Sequence, residues 1–508
     1  MTTVARGRVP RPVGQDVSSR RVVLYACAAV VIIRFVYVWQ PLRSDEGGYL
    51  LAARHWSTSR EFLYGDFHVD RPPLLMAIFR LAALSEWDRA IRVLSIPFAL
   101  VIVVAAARAA YLVAGDRAAR WSAVVAAALA TTPALAADQA DGELFAAAFV
   151  MASVALALSA WYQPAGLQQR LAAIGAGATG VAAALVKQNF LDALVFSAVL
   201  VLAEAVRRGS VSDRCRVLAL GASLGALLPI LLLMAWSNSA GVDGWKTWTD
   251  LVAFRGNAFT VIWGGNVQAP IIRGLTLAAL ALVSAMVPIA WTWVRACRAR
   301  ATTLSPPEYA VYAGLLFGVA ALMAGGSYWP HYLLQLTAML SLAAGIVASS
   351  HAPEAVAMRR WAAVSAASAG FAVIVNATVY ATVPRVWFLE RTGEWLAESS
   401  EANDTAFVAY GAPSILETAD LSSPYPFLWS LPMRTLDPQQ SRLRATLAGP
   451  DAPTWVVQIN GLNAWDIDDG RRLRTLIESR YDVVAHICGH NVWLRRDVSR
   501  TPASPPNC

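Results

Sequence analysis

Charge is what this 508-residue chain has least of: Asp, Glu, Lys and Arg make up 15% of it, against 57% hydrophobic residues. With a mean hydropathy of +0.47, it is too apolar for a soluble domain of this length, and the composition indicates an integral membrane protein. Cysteine is scarce as well. Of the five, Cys27, Cys215 and Cys297 lie in or beside apolar stretches, so their redox state says little, while Cys488 and Cys508 could pair outside the cell. No closely spaced His or Cys residues form the ligand set of a transition-metal site. An internal repeat of the kind that marks many transporters is also absent. The first apolar stretch, 22–41, lacks the short core and small-residue cleavage site of a secretory leader. It continues through Arg34 and bulky aromatics, and is read as an uncleaved signal anchor.

What is present is a series of apolar runs, roughly eleven at about 20 residues each, the length that crosses a bilayer. They are expected at 22–41, 92–114, 121–137, 144–161, 171–186, 190–206, 217–236, 271–294, 309–323, 332–349 and 361–382. The net charge of +8 does not indicate nucleic acid, because the arginines gather in alternate loops. Arg20 and Arg21, Arg117 and Arg120, Arg207 and Arg208, Arg298 and Arg300, and Arg359 and Arg360 fall on one side. The loops 138–143 and 325–330 between them are almost free of Lys and Arg, which is the positive-inside pattern. It puts the N-terminus in the cytoplasm and, with an odd number of spans, everything after residue 382 outside the plasma membrane.

The pattern divides the chain into a disordered cytoplasmic stretch (1–21), a helical membrane domain (22–383), a small extracytoplasmic α/β domain (384–497) and a disordered tail (498–508). In the third part, 405–410, 454–459, 482–487 and 491–494 are short β-rich runs, and 470–480 has helical periodicity. The fold class is therefore mainly α and polytopic. The outer loops 42–89 and 237–270 are long and aromatic, with Leu74 to Leu84 and the set Trp245, Trp248, Phe254, Phe259 and Trp263 suited to helices along the membrane interface.

Ionisable residues beside apolar spans are costly and usually mark a substrate path or a reactive centre. The first is the acidic pair in Arg43-Ser44-Asp45-Glu46-Gly47. A carboxylate in a semi-dry outer pocket can take the proton of a sugar hydroxyl, and Asp45 is placed for this, with Glu46 to assist, to orient an acceptor or to hold a cation through oxygen ligands. Taken alone, such a pair is more often solvated. A second acidic loop, with Asp138, Asp141 and Glu143, falls on the same side, Asp141 and Glu143 nearest the following helix and its positive dipole end. Three cationic candidates share that side: Arg71 in His68-Val69-Asp70-Arg71-Pro72-Pro73, Lys187 in Val186-Lys187-Gln188-Asn189, and His331 in Tyr328-Trp329-Pro330-His331-Tyr332. A departing phosphate needs such partners, although each alone may be read as a side chain snorkelling to the interface.

As a set these motifs resemble the GT-C superfamily, in particular the family of protein mannosyltransferases, aminoarabinose lipid A transferases and Rgt-type lipopolysaccharide glycosyltransferases. The likeness covers roughly residues 22–349. It implies an inverting transferase that takes a sugar from a polyprenyl-phosphate donor and passes it to an envelope glycan, lipid or protein acceptor among the membrane lipids of the outer face. It further implies Asp45 as the catalytic base with Glu46 beside it, Asp141 or Glu143 as the second carboxylate at the acceptor, and Arg71, Lys187 and His331 on the donor phosphate. Arg71 stands where many relatives have Lys before Pro-Pro. Asp70 falls where some relatives bind a metal, which makes a divalent cation an optional cofactor. Two other readings fit a polytopic protein, a transporter or flippase of a lipid-linked substrate and a noncatalytic envelope assembly partner. Transport would place charges near the bilayer midplane in matched halves, whereas here they cluster at the ends of spans.

Overall fold

The computed structural model describes residues 17–57, 61–265, 267–301 and 303–508. Most of the stretch expected to be disordered at the N-terminus lies outside these residues, and 17–21 open the first helix. The membrane body runs α1 (Val17–Val38), α2 (Ser44–Arg54), α3 (Pro73–Ala82), α4 (Ala90–Ala114), α5 (Asp116–Leu129), α6 (Gly142–Tyr162), α7 (Leu167–Val186), α8 (Asp192–Arg208) and α9 (Asp213–Ser239). It continues through α10 (Gly244–Trp248), a π-helical turn, α11 (Phe254–Gly264), α12 (Gln268–Val283), α13 (Met286–Ala299), α14 (Pro306–Ala324), a 3-10 turn at Pro330–Leu336, α15 (Thr337–Ser349) and α16 (Glu354–Thr382).

Among the described residues, eight helices are long and apolar enough to cross a membrane: α1, α4, α6, α7, α9, α14, the 3-10 turn with α15, and α16. The other three expected spans are helices or helix pairs that fall short of that length as single helices. Those at 121–137 and 190–206 are α5 and α8, of 14 and 17 residues, and that at 271–294 breaks into α12 and α13 at Ala285, whose φ is +62°. A ninth candidate, Gly244–Gly264 with Gln268–Val283, is bent by 101°. The acidic pair, read from sequence as part of a loop, sits in the first turn of α2.

Small residues let the central helices meet closely, as they must where apolar surface gains little by leaving lipid for protein. A Cβ on Gly177 of α7 would lie 1.8 Å from the Ala222 carbonyl oxygen of α9, and one on Gly225 would lie 1.8 Å from that of Ile174. The outer faces of α1, α9 and α16 expose Leu24, Ile32, Leu232 and Phe371, as lipid-facing surfaces do.

The soluble part contains α17 (Phe388–Ser399), β1 (Ala406–Val408), α18 (Ser414–Ala419), α19 (Ser430–Leu436), α20 (Ser441–Ala448), β2 (Trp455–Gln458), α21 (Arg472–Arg480), β3 (Tyr481–Ile487) and β4 (His490–Arg495). All four β-rich runs of the sequence become strands, in the order β1-β2-β4-β3, with β1 parallel to β2 and the other pairs antiparallel. Period-two alternation divides the side chains between two cores. Trp455 and Val457 join Trp395 and Leu396 of α17, while Val456 joins Leu443, Leu447, Leu473 and Ile477 of α20 and α21. The tail 498–508 forms no helix or strand. It is tied back by a Cys488–Cys508 disulfide and by the Trp395 indole N–H, which donates to the Ala503 carbonyl at 2.9 Å.

Candidate functional site

Arg92 of α4 fixes the geometry of α2. Its five N–H groups are all used: three go to the carbonyls of Tyr37, Gln40 and Pro41 at 2.6–2.9 Å, where α1 ends and has carbonyls without helical partners. The other two hold both Glu46 oxygens, at 2.9 and 2.6 Å. The backbone N–H groups of Arg43 and Ala140 donate to the same carboxylate at 2.9 and 2.8 Å. Burial would raise the Glu46 carboxyl, but the charge and hydrogen bonds of Arg92, with the two backbone donors, outweigh it and hold the group below its ordinary range. Glu46 is 0% exposed and has no free lone pair facing a cavity, so it joins α1, α2, α4 and the second acidic loop rather than sharing the surroundings of its neighbour.

Asp45 points the other way. The Trp429 indole N–H donates to its Oδ1 at 2.9 Å, so a residue at the start of α19 in the soluble domain reaches the acid on α2. Two glycines permit that approach. A Cβ on Gly48 would lie 2.4 Å from the Trp429 ring, and one on Gly47 would lie 2.4 Å from Ser414 Cα. Burial pushes the Asp45 carboxyl up; Arg71 is the strongest influence lowering it, Asp70 raises it, and Trp429 and Lys187 lower it.

The cations expected from the sequence converge here. Arg71 lies 5.5 Å from the Tyr49 ring centre and donates to Asp70 Oδ1 at 2.8 Å, while Arg255 reaches Asp70 Oδ2 at 2.8 Å. Lys187, 7% exposed at the end of α7, is ion-paired with Glu143 and lies 4.2 Å from the Tyr332 ring centre. Burial and the nearby Arg71 charge pull its ammonium well below the usual range, with Asp141 and Asp45 opposing. His331 bridges the second acidic motif, with Nδ1 3.3 Å from Asp141 and Nε2 3.4 Å from Glu143. Burial and the charges of Lys187 and Arg71 disfavour the imidazolium form of His331, and a neutral ring donates from one nitrogen only. Burial raises the Asp141 carboxyl well above its ordinary range, and the charges of Asp45 and Glu46 raise it further.

A cavity of about 290 Å³ opens beside Lys187. Its walls are largely apolar, with Leu251, Phe259, Ile262 and Ala321 on two sides, and Lys187, Gln188, Arg255 and Tyr332 supply its polar groups. It is thus suited to an apolar chain with an anionic head. A cation at Asp70 does not fit, because both oxygens of that carboxylate face arginines. Among the described residues, no group of three His, Cys, Asp or Glu side chains is arranged to hold a metal ion.

Sequence reasoning did not single out Arg92, Arg255 or Trp429. Arg255 had a visible signal, as a rare cation in an aromatic outer loop. Arg92 was read as the start of a span, and Trp429 is one of 19 tryptophans, with nothing local to mark it.

No family model and no curated protein matches this chain. Solved structures do. ArnT from Cupriavidus metallidurans bound to undecaprenyl phosphate aligns over 93% of this chain and 97% of its own at 16% identity, with a TM-score of 0.64. The apo state of the same protein aligns over 94% and 98% at 15% identity, with a TM-score of 0.58. The Archaeoglobus fulgidus oligosaccharyltransferase tethered to an acceptor peptide containing the NVT sequon aligns over 92% of this chain and 72% of its own at 14% identity, with a TM-score of 0.50. The likeness to ArnT runs through the membrane body and the soluble domain together, and this chain has the fold of the GT-C glycosyltransferases.

Proposed function

We propose that this protein is a glycosyltransferase that moves a sugar from a polyprenyl-phosphate donor to an envelope glycan, lipid or protein acceptor on the outer face of the plasma membrane, with inversion at the anomeric carbon. The observation that carries this reading is that the buried Asp45 carboxyl feels the charges of Arg71 and Lys187, and that Lys187 in turn lines a largely apolar cavity with Arg255. One group is suited to take a proton, two to receive a phosphate, and the cavity to receive an isoprenoid chain.

In the step that follows, the acceptor hydroxyl oxygen attacks the anomeric carbon and its proton passes to Asp45. The bond from that carbon to the phosphate oxygen breaks, and polyprenyl phosphate leaves with the bonding electrons. Arg71 offers the phosphate a planar fork of donors and Lys187 a point charge. In this structure these cations rest on Asp70 and Glu143, and an arriving phosphate would favour the charged form that burial disfavours on Lys187. Asp141 and Glu143, linked through His331, line the acceptor side, and Glu46 acts by holding α2 in place. The bound undecaprenyl phosphate of the ArnT structure supports the donor class. The Cys488–Cys508 pairing suits an oxidising compartment, and with the arginine-poor loops it supports an extracytoplasmic soluble domain.

The test is to incubate the purified protein in liposomes with polyprenyl-phosphate sugars and envelope acceptors, and to measure release of polyprenyl phosphate. The account expects release dependent on acceptor. Movement of the intact donor across the bilayer with no release would contradict it.

A further inference from the structure

At the end of the bundle opposite Asp45, the start of α5 meets the turn between α15 and α16 around a polar cavity of about 620 Å³. Arg117, Arg120, Arg359 and His351 line it together with Ser349 and Ser350, and no carboxylate does. This differs from other basic residues at the same end. Glu204 neutralises Arg207, Arg208 and Arg214, and Glu308 meets Arg300. Among the described residues, no acid lies within ion-pair distance of the three arginines at the cavity. The Nε of Arg120 is buried without an acceptor, and its guanidinium carbon lies 5.7 Å from the Trp121 ring centre. Arg359 satisfies only its Nε, on the Ala355 carbonyl at 3.1 Å.

A bias of arginine toward one end of the bundle needs no cavity, because membrane insertion alone requires it. Here three cations and an imidazole instead surround a half-open polar space at the depth where the helices end. Basic pockets at such depths hold anionic headgroups, and planar guanidinium groups match phosphate oxygens in pairs.

We propose that this cavity binds the phosphate of an anionic lipid headgroup, separately from the donor-phosphate site at the other end. Arg120 and Arg359 clamp the phosphate, Arg117 and His351 close the rim, and the acyl chains remain in the bilayer. The proposal does not depend on transferase activity, because its readout is binding.

The experiment uses the delipidated full chain, titrated in native mass spectrometry with phosphatidylglycerol, with phosphatidylcholine and with glycerol phosphate. Wild type should retain phosphatidylglycerol over phosphatidylcholine. An R120Q/R359Q variant should lose roughly tenfold to thirtyfold in that affinity, while R360Q, which changes the neighbouring arginine outside the cavity, should not. R359Q alone, at an exposed position, should show part of the loss should the double variant not fold. Retention of phosphatidylglycerol with no response to glycerol phosphate assigns the site to lipid. Equal binding of glycerol phosphate would replace the lipid with a soluble phosphate ester, overturning the headgroup assignment. Equal retention of phosphatidylcholine, or an equal loss in R360Q, would show general adhesion of the basic end and overturn the site itself.

Discussion

Asp45 and Glu46 are neighbours in sequence with opposite surroundings, because successive residues on a helix face about 100° apart. Glu46 faces a complete set of donors, and Asp45 faces Trp429 of the soluble domain. Removing one partner of a buried pair leaves the other charge uncompensated, so Glu46→Gln should cost about 3–5 kcal/mol, read as a lower melting temperature of the detergent-solubilised protein. Replacing Glu46 and Arg92 together by leucines should recover part of that loss. The stabilisation from Glu46 should also follow pH in a fixed direction. Its carboxyl is depressed in the folded state, so the contribution is full above the ordinary carboxyl range and is lost as pH falls through the depressed folded value. Asp45 is raised instead, and a base must be deprotonated to act, so the acid limb of the rate profile should lie above the ordinary range of aspartate. Trp429→Phe removes a hydrogen bond to that carboxylate and should move the limb further up. An unmoved limb would separate Trp429 from the base. The sequence singled out Asp45 through the cost of charge beside a span. Glu46 was read as its assistant, and the anchoring of Glu46 could not be read, because its partner Arg92 is 46 residues away.

At the scale of elements, α2 carries the acid and α19 carries the tryptophan that meets it, and Gly47-Gly48 sets the distance between them. Gly48→Ala would place a methyl 2.4 Å from the Trp429 ring, so the ring must shift, at about 1–3 kcal/mol for overpacking. Turnover should fall with less change in donor affinity, because the cavity wall is formed by the segments after α7, by α11 and by α14. The strands of the soluble domain were legible because both sheet faces bury apolar side chains and turns separate the runs. The long spans were legible for a similar reason. Three crossings differ from the expected bounds: α5 ends at Leu129, α8 keeps the expected length but runs two residues further to Arg208, and the span 271–294 breaks at Ala285 with positive φ, which a hydropathy window does not detect. The Asp45 segment was read as loop because an eleven-residue helix rich in glycine and charge has weak periodicity.

On the scale of the whole molecule, the soluble domain contributes Trp429 to the surroundings of Asp45 in the candidate site. Besides Trp429, it meets the membrane body through Glu417 with Arg54 at 2.6 Å, Glu390 with Arg89 at 2.5 Å, and Arg442 with Glu61. The Arg54 pair is the more buried on its acidic side, so Arg54→Ala should loosen docking, read as faster hydrogen exchange across α18 together with lower turnover. Charge reversal at the exposed Arg442–Glu61 pair should matter little, since such pairs contribute about 0–1 kcal/mol. Contacts between parts so distant in sequence are set by the fold of both, so Asp45 could be singled out from local pattern while its contact with Trp429 of the soluble domain could not. The most direct measurement is of Asp45→Asn, with sugar transfer from a polyprenyl-phosphate donor and donor binding followed on the same preparation. The account predicts turnover lower by about 10²–10⁴-fold with donor affinity little changed. Normal transfer by a stably folded Asp45→Asn protein would contradict it.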